Sequence, residues 1–453
     1  MSATVTARVA SWASNLRLDQ VPADLREWLG LRVADSIGLI AVARGSEPGR
    51  AVLDVCRPVP GDVPLLFEQT EVSASMAALA HGTLVHALDY DDTYPDSVIH
   101  PSSVVVPAAL AAGVKADGRQ VMLAMLAGYE FLARCGAVVG RRLHARGFHA
   151  TAVLGPLAAA LVASTVSGRG ELAALRAMGL AGSMSGGLLE FLADGSWSKR
   201  MHPGWAAHGG LLAAELAAAG FSGPASILEG RNGIFRSFLD DPDPEPALAE
   251  AFADLGDRWS CVNLQFKRYP CAHVIHPYLD LALFLLRAHH VDAAQITSVR
   301  CDVAPWCVPI VLEPIESKRA PSGEYQARAS LPYALATALA DGSVGPATFE
   351  DDALRRAEVL RLAAAVDYRE DESLSASFQA RLSLRLSSGE VLEADTGDLP
   401  SRDEPSLLRA KFDANLGIGA PGCAADDLWA AATSLAETGP AELARLCSPA
   451  VRR

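Results

Sequence analysis

The sequence predicts a mainly α protein: a large helical part drawn from both chain ends, with a smaller α+β part between them. Three observations predict it. Half of the 453 residues are hydrophobic, and much of that excess is alanine, the strongest helix former. Aromatics make up only 6%, which suits closely packed helices better than a β-sandwich. The clear two-residue alternation of strands is confined to residues 296–305, 376–386 and 390–395. These place an α+β segment at 263–398 and helical segments at 1–262 and 399–453.

The elements follow in order. Residues 4–16 and 22–44 read as helices, the second opened by Asp19 or Pro22 and closed by Gly45. A short helix covers 50–57. Gly61 and Pro64 make 60–71 irregular. A helix over 72–88 leads into HALDYDDTYPDSVIHPSS (86–103). Helices are expected at 103–115 and 119–140; in the latter Glu130 and Arg134 share a face and read as a structural pair. RRLHARGFHAT (141–151) follows, then an Ala-rich helix from about 150 and another at 171–187. Residues 195–205 read as a loop holding Lys199, Arg200 and His202, with helix resuming at 206–219 and less regularly to 255. Helix 276–290, strand 296–305, a long proline-containing connection at 306–322, helices at 327–339 and 350–365, and a hairpin around Ser388-Gly389 complete the α+β segment. The tail, 404–447, is helical again.

Residues 86–103 are the most unusual stretch. Four carboxylates (Asp89, Asp91, Asp92, Asp96), His86, His100 and Thr93 interrupt two apolar helices. Tyr94-Pro95 and His100-Pro101 stop any helix there. A polar break this rich in titratable groups points to a site. The plainer alternative is that the aspartates cap the next helix and the histidines are satisfied in the core. Three other segments also set histidine beside a helix end: His144 and His149 with Arg141, Arg142 and Arg146; His202 and His208 with Lys199 and Arg200; and His273 and His276 with Lys267, Arg268, Tyr269 and Cys271. His100 and His149 lie just before helices, where free N–H groups favour a bound carboxylate. Lys199 and Arg200, two adjacent cations beside Trp197 and His202, are unusual in an acidic chain; solvated surface charge is the plainer and less favoured alternative.

Net charge is −14, which disfavours nucleic acid as partner, though a local basic pocket can still take an anion. The sequence has no unbroken apolar run of membrane-spanning length, and the first twenty residues lack the apolar core of a secretory signal. Eight scattered cysteines without a CxxC pair fit a reducing cytoplasm better than a zinc ribbon or disulfide framework. No phosphate loop, GxSxG or dinucleotide fingerprint stands in context, and nothing beyond lysine points to a pyridoxal cofactor. If the four segments converge, imidazoles and fixed cations suit proton transfer at a carbon next to a carboxylate. DDTYPD (91–96) also has the look of a Mg²⁺–diphosphate motif of terpene synthases, but Pro95 breaks the helical face that would align Asp92 with Asp96. A non-enzymatic scaffold would leave the segments apart.

Taken together, the segments resemble the MmgE/PrpD family, which includes 2-methylcitrate dehydratase, cis-aconitate decarboxylase and iminodisuccinate epimerase. HALDYDDTYPDSVIHPSS resembles its first signature, GFHAT (147–151) its second, SKRMHPGWAAHGG (198–210) its Lys-x-x-His segment, and YPCAH with His276 a further histidine segment. The resemblance implies a helical domain built from both chain ends, an α+β lid and a homodimer. It implies catalytic residues Asp89, Thr93, His100, His149, Lys199 and His276, and substrate contacts from Lys199, His202 and Lys267. No metal or organic cofactor is expected. The implied reaction is a lyase reaction on a small di- or tricarboxylate, dehydration first, with decarboxylation and epimerisation as alternatives. The seven-residue step from Thr93 to His100 is closer to the epimerase spacing. Trp205 stands where relatives often carry a small or polar residue, and no position in 304–325 securely matches a tyrosine of the decarboxylases.

Overall fold

The computed structural model describes residues 4–375, 378–400 and 404–448. It is mainly helical. Helices Ala74–His86, Ser102–Ala112, Gly118–Val139, Ala150–Val166 and Ser198–Ala218 form the centre. Ser102–Ala112 and Ala150–Val166 are apolar on almost every side and are buried on almost every side, as such helices must be. Gly118–Val139 is long and apolar enough to cross a membrane, but 83% of its apolar window is buried inside the protein, which marks a core helix.

Two helices approach closely enough to set the geometry of the site. A Cβ on Gly82 would stand 2.7 Å from the Gly204 Cα, and one on Gly204 would stand 2.3 Å from the Leu79 carbonyl oxygen. Only glycine at both positions allows Ala74–His86 and Ser198–Ala218 to cross here. That crossing brings the first turns of the second helix, with Lys199 and His202, beside the end of the first, with His86 and Asp89.

The buried apolar side chains fall into two clusters. One runs from Val5 to Leu264 and takes in Phe412, Leu416, Leu428, Leu435 and Leu443 of the tail. The other spans Cys271 to Ala394. The second cluster lies on a four-stranded sheet. A short antiparallel pair, β1 (Pro60–Pro64) and β2 (Glu71–Val72), stands apart from it. The sheet comprises β3 (Ile296–Val303), β4 (Val366–Glu370), β5 (Arg381–Leu386) and β6 (Val391–Asp395), in the order β4-β3-β5-β6. β3 pairs parallel with β4 and antiparallel with β5, and β5 with β6 antiparallel.

Several expectations need correction. The stretch 60–71 is not wholly irregular; β1 tolerates two prolines because it lies at an edge. β4 was not expected: in Val366–Glu370 only Val366 is buried, so a charged edge strand carries no alternation to read. Lys199, Arg200 and His202 are not in a loop. The helix begins at Ser198, with Pro203 inside it. The connection at 306–322 contains two short helices, Val308–Val311 and Ile315–Arg319. Of the strand expected at 376–386, residues 376–377 lie outside the described residues and the strand begins at Arg381. Glu130 and Arg134 form the expected structural pair at 2.5 Å, and Glu130 also accepts from the backbone N–H of Ser260 and Cys261. All eight cysteines are free thiols.

Candidate active site

A cavity of about 480 Å³ is lined by residues from every segment singled out in the sequence: Asp89 and His100, His149, Lys199, and Lys267 with His273. Asp89 is its electrostatic centre. One carboxylate oxygen accepts from Lys199 Nζ at 2.9 Å and from Lys267 Nζ at 2.8 Å; Lys267 also donates to the Asp89 carbonyl at 2.9 Å. Burial alone would raise this carboxyl, but the two ammoniums outweigh it and hold Asp89 well below its ordinary value. Asp89 and its two lysines together carry a net positive charge, with the buried Asp91 carboxylate within 4.8 Å of Asp89.

His100 and His149 face this cluster. Burial pushes both imidazoles well below their ordinary value; for His100 the nearby Asp91 opposes that only in part, and for His149 His202 and Lys199 add to it. Both are therefore neutral near pH 7. His100 Nδ1 lies 2.9 Å from the Asp92 carbonyl oxygen, which can only accept, so Nδ1 carries the proton and Nε2 keeps its lone pair. His149 starts its helix from the N-cap position, with its N–H bonded to the Gly187 carbonyl. Its Nδ1 sits 3.0 Å from His202 Nδ1, and its Nε2 is buried without a partner among the described residues.

Asp91 and Asp92 are structural supports. Asp91 accepts from His86 Nδ1 at 2.8 Å. Asp92 accepts from the Ser102 N–H at 3.0 Å and the Ser102 hydroxyl at 2.6 Å, and lies 3.5 Å from Arg32. Capping thus explains Asp92, as the plainer alternative held. Its burial pushes the carboxyl up to about 6, despite Arg32 and Ser102. Asp96 is exposed.

Not every expected residue reaches the cavity. Thr93 is fully buried behind it, and its backbone pairs with Gln265. His276 lies behind His273, their rings 4.6 Å apart, and it is His273 that lines the cavity. His202 backs His149 and does not line it. Arg200 does not point outward: it is buried and bonds Glu324 at 2.8 Å. Arg328, from the expected helix at 327–339, lines the cavity and ties the Leu88 and Pro270 carbonyls together. Arg328 and Trp306 carried no sequence signal, whereas Arg141, His144 and His273 stood in the histidine-rich segments. Tyr325 also lines the cavity, within the window where no tyrosine was matched.

His86, His100 and His149 bring one ring nitrogen each within 4.8 Å of one another, as do the ligand atoms of His86, Asp89, Asp91 and His100; among the described residues these are the sets that can hold a metal ion. In the second set one oxygen of Asp89 already accepts from two ammoniums.

A mainly helical enzyme fold with histidines and an ion cluster in one cavity defines the class of protein. Family comparison matches the MmgE/PrpD N-terminal domain over residues 7–247 and the MmgE/PrpD C-terminal domain over residues 269–430. The chain belongs to the MmgE/PrpD family. It is similar to the cis-aconitate decarboxylase of Aspergillus terreus, at 27% identity over 409 residues, covering 81% of this chain and 79% of that one. It is similar to the cis-aconitate decarboxylase-like protein oryM of Aspergillus oryzae, at 27% over 304 residues, covering 64% and 62%. The human cis-aconitate decarboxylase is 29% identical over 308 residues, covering 64% and 60%. Family and relatives together support an enzyme with lyase-type activity.

Proposed function

We propose that this chain is a lyase for a small di- or tricarboxylic acid, acting by proton transfer at a carbon next to a carboxylate. The observation that carries the reading is the pairing of neutral His100 and His149 with the net-positive Asp89–Lys199–Lys267 cluster in one cavity. A substrate carboxylate binds the free N–H valences of Lys199. His100 Nε2 takes the carbon-bound proton, and the positive cluster stabilises the carbanion-like charge that develops. In a dehydration the His100 imidazolium so formed returns that proton to the departing hydroxyl, which His149 holds by a hydrogen bond. Asp89 holds the two lysines, and His202 and Asp91 orient histidines. Thr93 and His276 act from behind the wall as positioning residues.

Decarboxylation is the second reading, favoured by the names of the relatives and by Tyr325 in the cavity wall. There carbon dioxide leaves and the Tyr325 phenol, which keeps its proton because burial raises it well above its ordinary value, protonates the carbanion. NMR of the purified protein in D₂O against a panel of polycarboxylates separates elimination, decarboxylation and proton exchange. No reaction or exchange with any of them would refute the proposal.

The division into 1–262 with 399–453 and an α+β lid at 263–398 is also proposed, supported by the two apolar clusters. A homodimer is supported by Met201, Trp205 and Leu212, exposed on one side of helix Ser198–Ala218 with Trp205 stacked on His208.

A further inference from the structure

The cavity carries a second cationic wall, outside the segments on which the family resemblance rests. Arg141, His144 and Trp306 all line it. The Arg141 guanidinium lies 3.6 Å from the Trp306 ring centre, a cation–π contact that fixes its plane and leaves its N–H edge free. Three nitrogens of this wall, Arg141 Nε, Trp306 Nε1 and His144 Nδ1, are buried with no hydrogen-bond partner among the described residues. The guanidinium and the indole can only donate. Buried donors left open on a cavity wall call for an acceptor. Burial pulls the guanidinium below its ordinary value, and Cys307 and the exposed Asp96 oppose this only in part; among the described residues neither is bonded to it. His144 links this wall to the reacting centre. Its ring lies 6.0 Å from that of His149. Burial, then Lys199 and Arg141, push His144 down to about 4, so it is neutral near pH 7 and within electrostatic reach of both cations.

We infer that Arg141, with the Trp306 indole N–H and His144, forms a second anion subsite, which selects acids that carry a further carboxylate beyond the one held at Lys199. The inference rests on the proposed reading for the first carboxylate. It deepens that reading by naming the residue that decides selectivity for the second.

The test is titration calorimetry on the full-length protein with butyrate and with the dicarboxylates succinate, glutarate and adipate. The variants are Arg141→Met, which keeps the aliphatic stem, and Trp306→Phe, which keeps a ring under the guanidinium. In wild type the best dicarboxylate is expected to bind about 10- to 100-fold more tightly than butyrate, the worth of one charge-assisted hydrogen bond. Arg141→Met should erase that preference while the butyrate Kd stays within about twofold. Trp306→Phe should narrow the preference by about threefold or more, and it decides the matter should Arg141→Met fail to fold. Lys199→Met should weaken all four acids alike. A wild type without the preference, a preference that both variants leave intact, or an equal loss for butyrate and the dicarboxylates in Arg141→Met would overturn the inference. Proton exchange in D₂O on the same mixtures reports the reaction separately. Exchange with a preference that ignores both variants sinks the subsite alone, and an Arg141-dependent preference without exchange sinks the proton-transfer reading alone.

Discussion

Replacing Asp89 with Asn removes one charge and almost nothing else. Asp89 has a left-handed backbone, φ 50°, which asparagine adopts more readily than most residues. The side chains are isosteric, and the asparagine oxygen can still accept one hydrogen bond. Lost is the counter-ion of two ammoniums, Lys199 at 14% and Lys267 at 1% side-chain exposure. Breaking a buried ion pair from one side costs about 3–5 kcal/mol. Lys267 keeps its bond to the Asp89 carbonyl and Lys199 can turn toward solvent, so the expected cost is the lower end, about 3 kcal/mol. The site becomes more positive by one charge, so small anions should rescue the variant by mass action. In a thermal melt the variant should unfold earlier than wild type by several degrees, and acetate or succinate should raise its midpoint more than that of wild type. Turnover should fall by about 10²-fold or more, because Lys199 is no longer held in place. An unchanged melting temperature with no extra response to anions would mean that the lysines do not depend on Asp89, and the electrostatic account of the site would fail.

Three further outcomes are expected. His100→Ala and His149→Ala should each lower kcat by about 10²-fold or more with the fold intact by circular dichroism; near-normal turnover of both on a true substrate would remove them as proton-transfer groups. Acid should destabilise the fold below pH 6.5. Burial lowers the folded-state pKa of His81, whose Nε2 accepts from the Leu66 N–H, to about 4. The unfolded chain therefore binds a proton that the folded chain refuses, and stability is lost as pH falls from about 6.5 to about 4, by roughly 3 kcal/mol for this one group. His81→Gln should shrink that loss, and melts across the pH range would show it. Exhaustive chelation should leave activity unchanged, since one oxygen of Asp89, one of the two acids in a candidate ligand set, is taken by two lysines; activity lost to EDTA and restored by a divalent ion would give the histidines a metal instead.

Much of the helical layout could be read from composition and breakers, because the central helices are long and apolar and their ends carry proline, glycine or aspartate. What escaped reading were elements whose burial is decided by neighbours far away in sequence. β4 shows one charged, mostly exposed segment that becomes a strand only because β3 offers it a parallel edge. Ser198–Ala218 shows the reverse error. Pro203 looks like a stop, yet inside a helix it forfeits one hydrogen bond and clashes with one carbonyl, and the tight crossing at Gly82 and Gly204 outweighs that cost. Arg200 looked solvated because its partner, Glu324, stands more than a hundred residues away.

The site was legible as an inventory and not as an arrangement. Histidine, aspartate and lysine beside helix ends pointed to the right four segments, since such groups are costly to bury without a purpose. Which member of each segment faces the cavity is a matter of a single turn. His273 ends up in front of His276 because residues 273–275 form a 3₁₀ turn, whose three-residue period sets the two rings one above the other. Either could have been the inner one by sequence alone. The same holds for the cations. Lys199 and Lys267 seemed two independent anion-binding groups, whereas the structure ties both to one aspartate oxygen. That sharing makes Asp89 the residue on which the charge of the site depends. A substrate carboxylate must therefore compete with, or complement, a counter-ion that is already in place. The net charge left over, and not the number of lysines, then limits how many carboxylates the deep end can hold. One bound carboxylate neutralises it. A second has to find its partner elsewhere on the wall, and Arg141, which lines the cavity with its guanidinium 3.6 Å from the Trp306 ring, has no carboxylate paired with it among the described residues.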